Sequence, residues 1–253
     1  MKHLLALVLA LLAASPSAAQ TRQPVLPDVQ FRDRLYELEN DRKWDEVFVT
    51  ANRASTREQL KAALDWMKIR ATGQGTTRDP RFLLSYAALL QRAGINDMAS
   101  AAYVTGMILA ASEAERCADR TASVPKLAKL RGELRFLEDL FWSFPANQRE
   151  DFVRYASLMD MTKSRGSAGT WLCMGGEVDT RKALELATRE GRTDIVSERV
   201  INGVKTTVVD SSGIEPALLP DGETERARRE TFRAWSTFYA QAERPKTDGP
   251  ARQ

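Results

Sequence analysis

Apolar residues recur at three- and four-residue intervals along most of this chain, and that period predicts helices. The clearest stretch spans residues 79–117. Leu83, Tyr86, Ala87 and Leu90 share one face of a helix that Asp79 caps. Pro80 fits its first position, where the missing N–H is not needed. Gly94 can take the left-handed conformation that ends such a helix. Asn96 and Asp97 open a second helix, with Ala99, Ala102, Tyr103, Gly106 and Met107 along one side. The small side chains of Ala99, Ala102 and Gly106 let that side approach its neighbour closely, so the pair reads as a helical hairpin.

The same period extends in both directions. Asp28 is placed to cap a helix through Phe31, Leu35 and Leu38, and another starts near Trp44 with Val47, Phe48 and Ala51 inward. Ser55 and Glu58 have capping-box spacing. They open a helix carrying Leu60, Ala63, Leu64 and Met67 that ends near Gly73. Downstream, Ser123 is expected to cap a helix with Pro125 in its first turn and a stripe of Leu127, Leu130, Leu134, Leu137, Phe141 and Trp142. Ser143, Phe144 and Pro145 break it, and a further helix turns Phe152, Tyr155, Ala156 and Met159 inward. Aromatic stripes at helical spacing read as core.

Residues 162–176 break the pattern with glycines. They follow a helix and lack the GK[ST] ending of a phosphate-binding loop, so the segment reads as a connection with Trp171 packed on the helical body. Asp179 and Thr180 are expected to cap a short helix with Ala183, Leu184 and Ala187, stopped by Gly191. The period then drops to two: residues 195–201 and 204–209 flank Asn202 and Gly203, a strong hairpin signal. After a loop over residues 211–222, a last helix over 223–242 is expected to bury Phe232, Trp235, Phe238 and Tyr239. The expected fold is mainly α: antiparallel helical hairpins in a bundle or short solenoid, with one small β-hairpin near residues 195–209. Residues 28–161 form the hairpin body, residues 162–243 pack on it, and residues 244–253 read as a disordered tail.

The N-terminus changes the picture. Lys2 and His3 precede an apolar run over residues 4–14, too short to span a bilayer, and Ser17, Ala18 and Ala19 supply the small residues of a cleavage site. The reading is a signal peptide, residues 1–19, cut after Ala19, with an extended leader over residues 20–27. No later apolar run is long enough to cross a membrane. The product is expected in a periplasm or beyond it. Export removes the only histidine, and removing Lys2 lowers the formal charge of +3 by one. A chain without histidine has no Ser-His-Asp or Cys-His mechanism and lacks the commonest transition-metal ligand. Neither a metal nor a cofactor is expected. A near-balanced charge gives no reason to invoke nucleic acid. In an oxidising compartment, Cys117 and Cys173 read as a disulfide. Closing so long a loop is worth about 4 kcal/mol in the chain-entropy account.

Leu83, Leu90, Gly94, Ala99 and Tyr103 carry a resemblance. Large apolar residues in a first helix, a small residue at the turn, then alanine and an aromatic in a second helix resemble a tetratricopeptide repeat over about residues 80–117, extending to 44–117 with the preceding hairpin. Ala87 stands where that family usually has glycine, Gly106 where it has alanine, and no proline closes the unit. The resemblance implies a scaffold that binds peptides or proteins on a concave face, without catalytic residues.

Two functions follow as expectations. The first is an exported helical accessory or scaffold factor of the bacterial envelope that binds protein or peptide, and is not an enzyme. Trp171 and the row of Arg226, Arg229 and Arg233 are its candidate contacts. The alternative is a carboxylate-dependent envelope enzyme acting on glycans. Such chemistry needs paired acids or one acid of raised pKa, and Glu177, beside Gly175 and Gly176, is the candidate.

Overall fold

A computed structural model describes residues 27–72, 79–162, 170–191, 194–201, 204–211, 213–241 and 243–245. The expected signal peptide with its cleavage point after Ala19, most of the expected leader, Asn202 and Gly203 of the hairpin signal, residues 163–169 of the glycine-rich segment and residues 246–253 of the expected tail lie outside the described residues. In order, the elements are α1 Asp28–Asn40, α2 Trp44–Asn52, α3 Arg57–Thr72, α4 Pro80–Arg92, α5 Asn96–Ala114, α6 Arg120–Glu133, α7 Arg135–Trp142, α8 Ala146–Thr162, a 3₁₀ turn Thr170–Leu172, α9 Glu177–Glu190, β1 Val196–Ile201, β2 Val204–Val209 and α10 Asp221–Tyr239. The fold is mainly helical with one small antiparallel hairpin, as the sequence pattern predicts.

The body is organised around α5. Every residue of α5 from Ala102 to Ala114 is buried, where the hairpin reading expected one buried side. A helix apolar all round belongs inside, and α5 is enclosed by α4, α6, α7, α8, α10 and the 3₁₀ turn. In a linear solenoid each unit touches its sequence neighbours; α8 and α10 against α5 make this a bundle. Asp79 caps α4, accepting the Arg81 N–H at 2.9 Å. Gly106 lets α4 and α5 meet, since a Cβ there would lie 2.8 Å from Leu84 Cγ. Thr105 and Ser112 survive inside α5 because their hydroxyls donate to the carbonyls of Ala101 and Ile108, both at 2.7 Å.

Helices α1 to α4 form one end of the core. Phe31, Leu35, Leu38, Val47, Ala51, Ala63 and Met67 are buried. The Phe82 ring meets Trp44 at 5.7 Å, Phe48 at 5.2 Å and Trp66 at 6.2 Å. The cap of α3 is shifted from the expected Ser55–Glu58 pair. Thr56 Oγ1 accepts the Gln59 N–H at 3.1 Å, and Gln59 Oε1 accepts the Ser55 N–H at 2.9 Å. Gln59 is buried and reaches the turn that Glu58 was expected to serve.

The other end departs further from expectation. The helix expected to start at Ser123 starts at Arg120, because Asp119 accepts the Thr121 N–H at 2.9 Å. Pro125 therefore lies inside α6, and Ser123 is buried. The chain breaks at Leu134, so the expected single stripe is divided between α6 and α7. Phe141 is fully buried and meets Trp142 at 5.1 Å, Phe152 at 6.3 Å and Tyr239 at 5.3 Å. Tyr155 is 36 % exposed while Val153 is buried. Burial pushes the Tyr103 and Tyr239 hydroxyls above the usual phenol range, and each ring's neighbourhood includes Glu138 and Arg131.

Helix α10 docks on α5 through a sealed charge network. Arg228 donates to Glu113 at 2.5 Å, and both side chains are buried. Thr231 Oγ1 donates to Glu115 at 2.9 Å. Before α10, residues 217–219 pair with the chain after α5: the Ala118 N–H donates to Ala217 O at 3.0 Å and the Leu219 N–H to Arg116 O at 2.9 Å. The hairpin runs in register Val196↔Val209 through Ile201↔Val204, and β2 touches α9.

Candidate functional site

The bond between Cys117 and Cys173 is formed, with S–S 2.08 Å and Cα–Cα 4.9 Å. It ties the segment after the 3₁₀ turn to the end of α5. Two further attachments hold that segment. Lys126 of α6 donates through Nζ to the carbonyls of Trp171 and Met174, each at 2.5 Å. Burial pushes the Lys126 ammonium below the usual lysine range. At the start of α9, the Glu177 N–H donates to Thr121 Oγ1 at 2.9 Å and the Val178 N–H to Asp119 Oδ2 at 2.8 Å. Asp119 thus serves two helix N-termini. The hydroxyl bond from Thr121 holds its pKa below the usual carboxylate range against the opposing effect of burial, with the Val178 and Thr121 N–H groups adding to it. Gly176 caps α9, not the expected Asp179 and Thr180. A Cβ at 176 would sit 2.7 Å from Asp119 Cγ. Asp179 instead lies in the first turn and accepts the Gly175 N–H at 2.9 Å.

These attachments make one wall of an open cleft of about 880 Å³. Thr170, Trp171 and Met174 line it together with Lys126, Lys129, Leu130 and Glu133 of α6, residues 42–46 and Arg81. Arg81 is the hinge of the arrangement. It donates to Asp79 at 2.6 Å and Asp45 at 3.0 Å, and its guanidinium lies 5.1 Å from the centres of both the Phe48 and Trp171 rings. Such stacking contributes about 0.5–2 kcal/mol and places Trp171 against the first helices of the chain, far from it in sequence.

The turn between α1 and α2 also lines the cleft. The Lys43 N–H donates to Leu38 O and the Arg42 N–H to Glu39 O, both at 2.9 Å, which is a Schellman closure. Arg42 takes the left-handed position with φ 58°. For a residue with a Cβ that conformation costs roughly 1–2 kcal/mol.

Of the residues singled out from sequence, Trp171 lines this cleft, half-buried, while Glu177, Arg226, Arg229 and Arg233 do not. Glu177 is exposed in the first turn of α9, beside a separate shallow hollow with Thr121, Gly175, Gly176, Thr180, Arg181 and Leu184. The three arginines are exposed on α10; Arg226 meets Glu230 at 2.7 Å and Arg229 meets Glu225 at 3.6 Å. Arg42, Trp44, Arg81 and Lys126 were missed as site residues. The signal for Arg42 was faint: a helix ends at residues 40–43 without glycine or asparagine in the left-handed place. Among the described residues, no group of three or more His, Cys, Asp or Glu could hold a metal ion, and no helix is long and apolar enough to cross a membrane. Comparison with protein-family models, curated proteins and solved structures finds no match, so the tetratricopeptide resemblance rests on the residues of α4 and α5 alone.

Proposed function

We propose that this chain is an exported accessory factor of the bacterial envelope that binds a peptide or protein segment in the cleft between the α1–α2 turn and the disulfide-held Trp171 wall. The observation that carries this reading is the wall itself. A disulfide, two lysine–carbonyl hydrogen bonds and a stacked arginine hold a half-buried tryptophan at the edge of an open, mixed-charge groove. A groove held this way is pre-organised, and ligand binding then costs little ordering entropy. Tryptophan and arginine are the side chains that anchor most protein interfaces. The disulfide suits an oxidising compartment. The glycan-hydrolase alternative draws no support from the geometry around Glu177, which is an exposed acid outside the cleft.

Site-specific photocrosslinking in cells tests the proposal. A photoreactive residue at Thr170, on the cleft wall, is expected to capture a discrete partner in the envelope fraction, and one at Arg229 on α10 is not. Capture from Arg229 alone, or a chain that fractionates with the cytosol, overturns it.

A further inference from the structure

We infer that Arg42 is the residue by which the cleft reads its ligand, and that the ligand is a peptide segment carrying one carboxylate flanked by apolar or aromatic side chains. This deepens the peptide-binding proposal and rests on it.

The first argument compares two turns of the same construction. At the end of α4 the Ile95 N–H donates to Leu90 O and the Gly94 N–H to Gln91 O, the same closure found after α1. There the left-handed residue is Gly94, φ 78°, and a Cβ at that position would meet nothing within 4 Å. Glycine is used there for its backbone alone. Gly191 at the end of α9 is also left-handed, φ 65°. Arg42 is the one non-glycine residue with positive φ among the described residues. A strained position kept by a bulky side chain points to a use for that side chain, and Arg42 lines the cleft.

The second argument is the state of the other charges. Arg81 is held by Asp79 and Asp45, Lys43 meets Asp41 at 3.4 Å, Lys129 meets Glu133 at 3.7 Å, and Lys126 is spent on two carbonyls. Glu46 meets Arg34 at 3.5 Å. The Arg42 guanidinium has no partner among the described residues. One open guanidinium, a fork that matches a carboxylate, lines the same cleft as Trp44, Trp171, Leu130 and Met174. Asp45, Glu46 and Glu133 on the same lining are already paired with Arg81, Arg34 and Lys129, so a single carboxylate finds its cation at Arg42. The apolar surfaces of Trp44, Trp171, Leu130 and Met174 suit a peptide whose acid is flanked by apolar side chains, and a polyuronate, with an acid on every unit, would leave them unused.

Selection of random heptapeptides displayed on phage, against the disulfide-bonded protein and its Arg42→Gly and Trp171→Ala variants, tests this. The native protein is expected to enrich Asp or Glu beside Phe, Tyr, Trp or Leu. Arg42→Gly is expected to melt about 2–4 °C higher, because the strain is gone. It is also expected to bind a selected peptide about tenfold more weakly or worse, with no difference for the Glu→Gln form of that peptide. A stabilised variant that binds less is an outcome that general damage does not produce. Equal affinity in Arg42→Gly, an equal loss with the Gln peptide, a lower melting temperature, or apolar sequences enriched without acids overturns the role of Arg42 and leaves the cleft standing. No enrichment over an unrelated protein, or an undiminished response in a folded Trp171→Ala variant, removes the cleft as well. Tighter binding of an oligouronate than of any selected peptide overturns the peptide assignment.

Discussion

Two charged regions of this molecule solve opposite problems. Where α10 meets α5, Glu113 and Arg228 are taken out of water, and each is the other's nearest replacement for solvent, with Arg116 and Glu225 at longer range. At the cleft, Arg81 is one-fifth exposed and its partner Asp45 lies 93 % exposed. The first pair gains little net energy over an apolar contact but cannot lose one member cheaply. The second is screened, tolerant of loss, and leaves the neighbouring Arg42 open. Burial, more than sequence spacing, separates a charge that locks the fold from one that is available to a ligand.

Breaking the sealed pair should give the largest effect. Glu113→Ala leaves Arg228 buried without its main partner and is expected to cost about 3–5 kcal/mol in urea unfolding. Joint replacement, Glu113→Leu with Arg228→Met, should recover most of that loss; a double variant as unstable as Glu113→Ala would show that the pair is a net stabiliser. Next comes the bridge behind the cleft wall. Cys117→Ser with Cys173→Ser is expected to cost about 2–4 kcal/mol and to shift Trp171 fluorescence toward that of a solvated indole, while α10 stays docked. Unchanged Trp171 emission would mean that Lys126 and Arg81 hold the wall without the sulfurs.

Asp119 lies between the two extremes, buried yet serving backbone donors at the edge of the site. Asp119→Ala is expected to cost about 2 kcal/mol, through two lost caps. Its folded pKa lies below the ordinary value of 3.8, so the stabilisation from its charge is present above that value and is lost as pH falls through the folded pKa. The gap between the native protein and Asp119→Asn in urea midpoint should therefore be full at pH 7 and shrink near pH 3. The smallest change is expected from Asp45→Asn. It should alter stability by less than about 0.5 kcal/mol and act on peptide binding instead, because it releases one hold on Arg81. A large loss of stability there would erase the contrast between the two regions.

Much of the architecture was legible in the residues. The positions of α1 to α5, the hairpin and the disulfide partners follow from period, punctuation and cysteine number. Errors cluster where local chemistry offers two solutions of similar energy. Asp119 and Ser123 are both good caps, and so are Ser55 and Thr56; which one starts a helix depends on what the other must do in the packed chain. Ser123 faces the interior, so the start moved to Asp119. Asp179 and Thr180 look like a cap, yet Gly176 takes the place because only a residue without Cβ fits against the Asp119 carboxylate. The cleft was legible only through Trp171, since its other members come from turns and helix starts that no short-range pattern connects.

Period and composition decided that this chain makes helices, where most of them lie, that its two cysteines join, and that an imidazole is absent from residues 20–253. These are local or compositional properties, carried by each segment whatever surrounds it. Packing decided which helix lies at the centre, which acids and bases are sealed from water, and which residues stand together around the cleft. Those outcomes are sums over contacts between distant segments, and a charge or an indole acquires its role only when its neighbours have been brought to it.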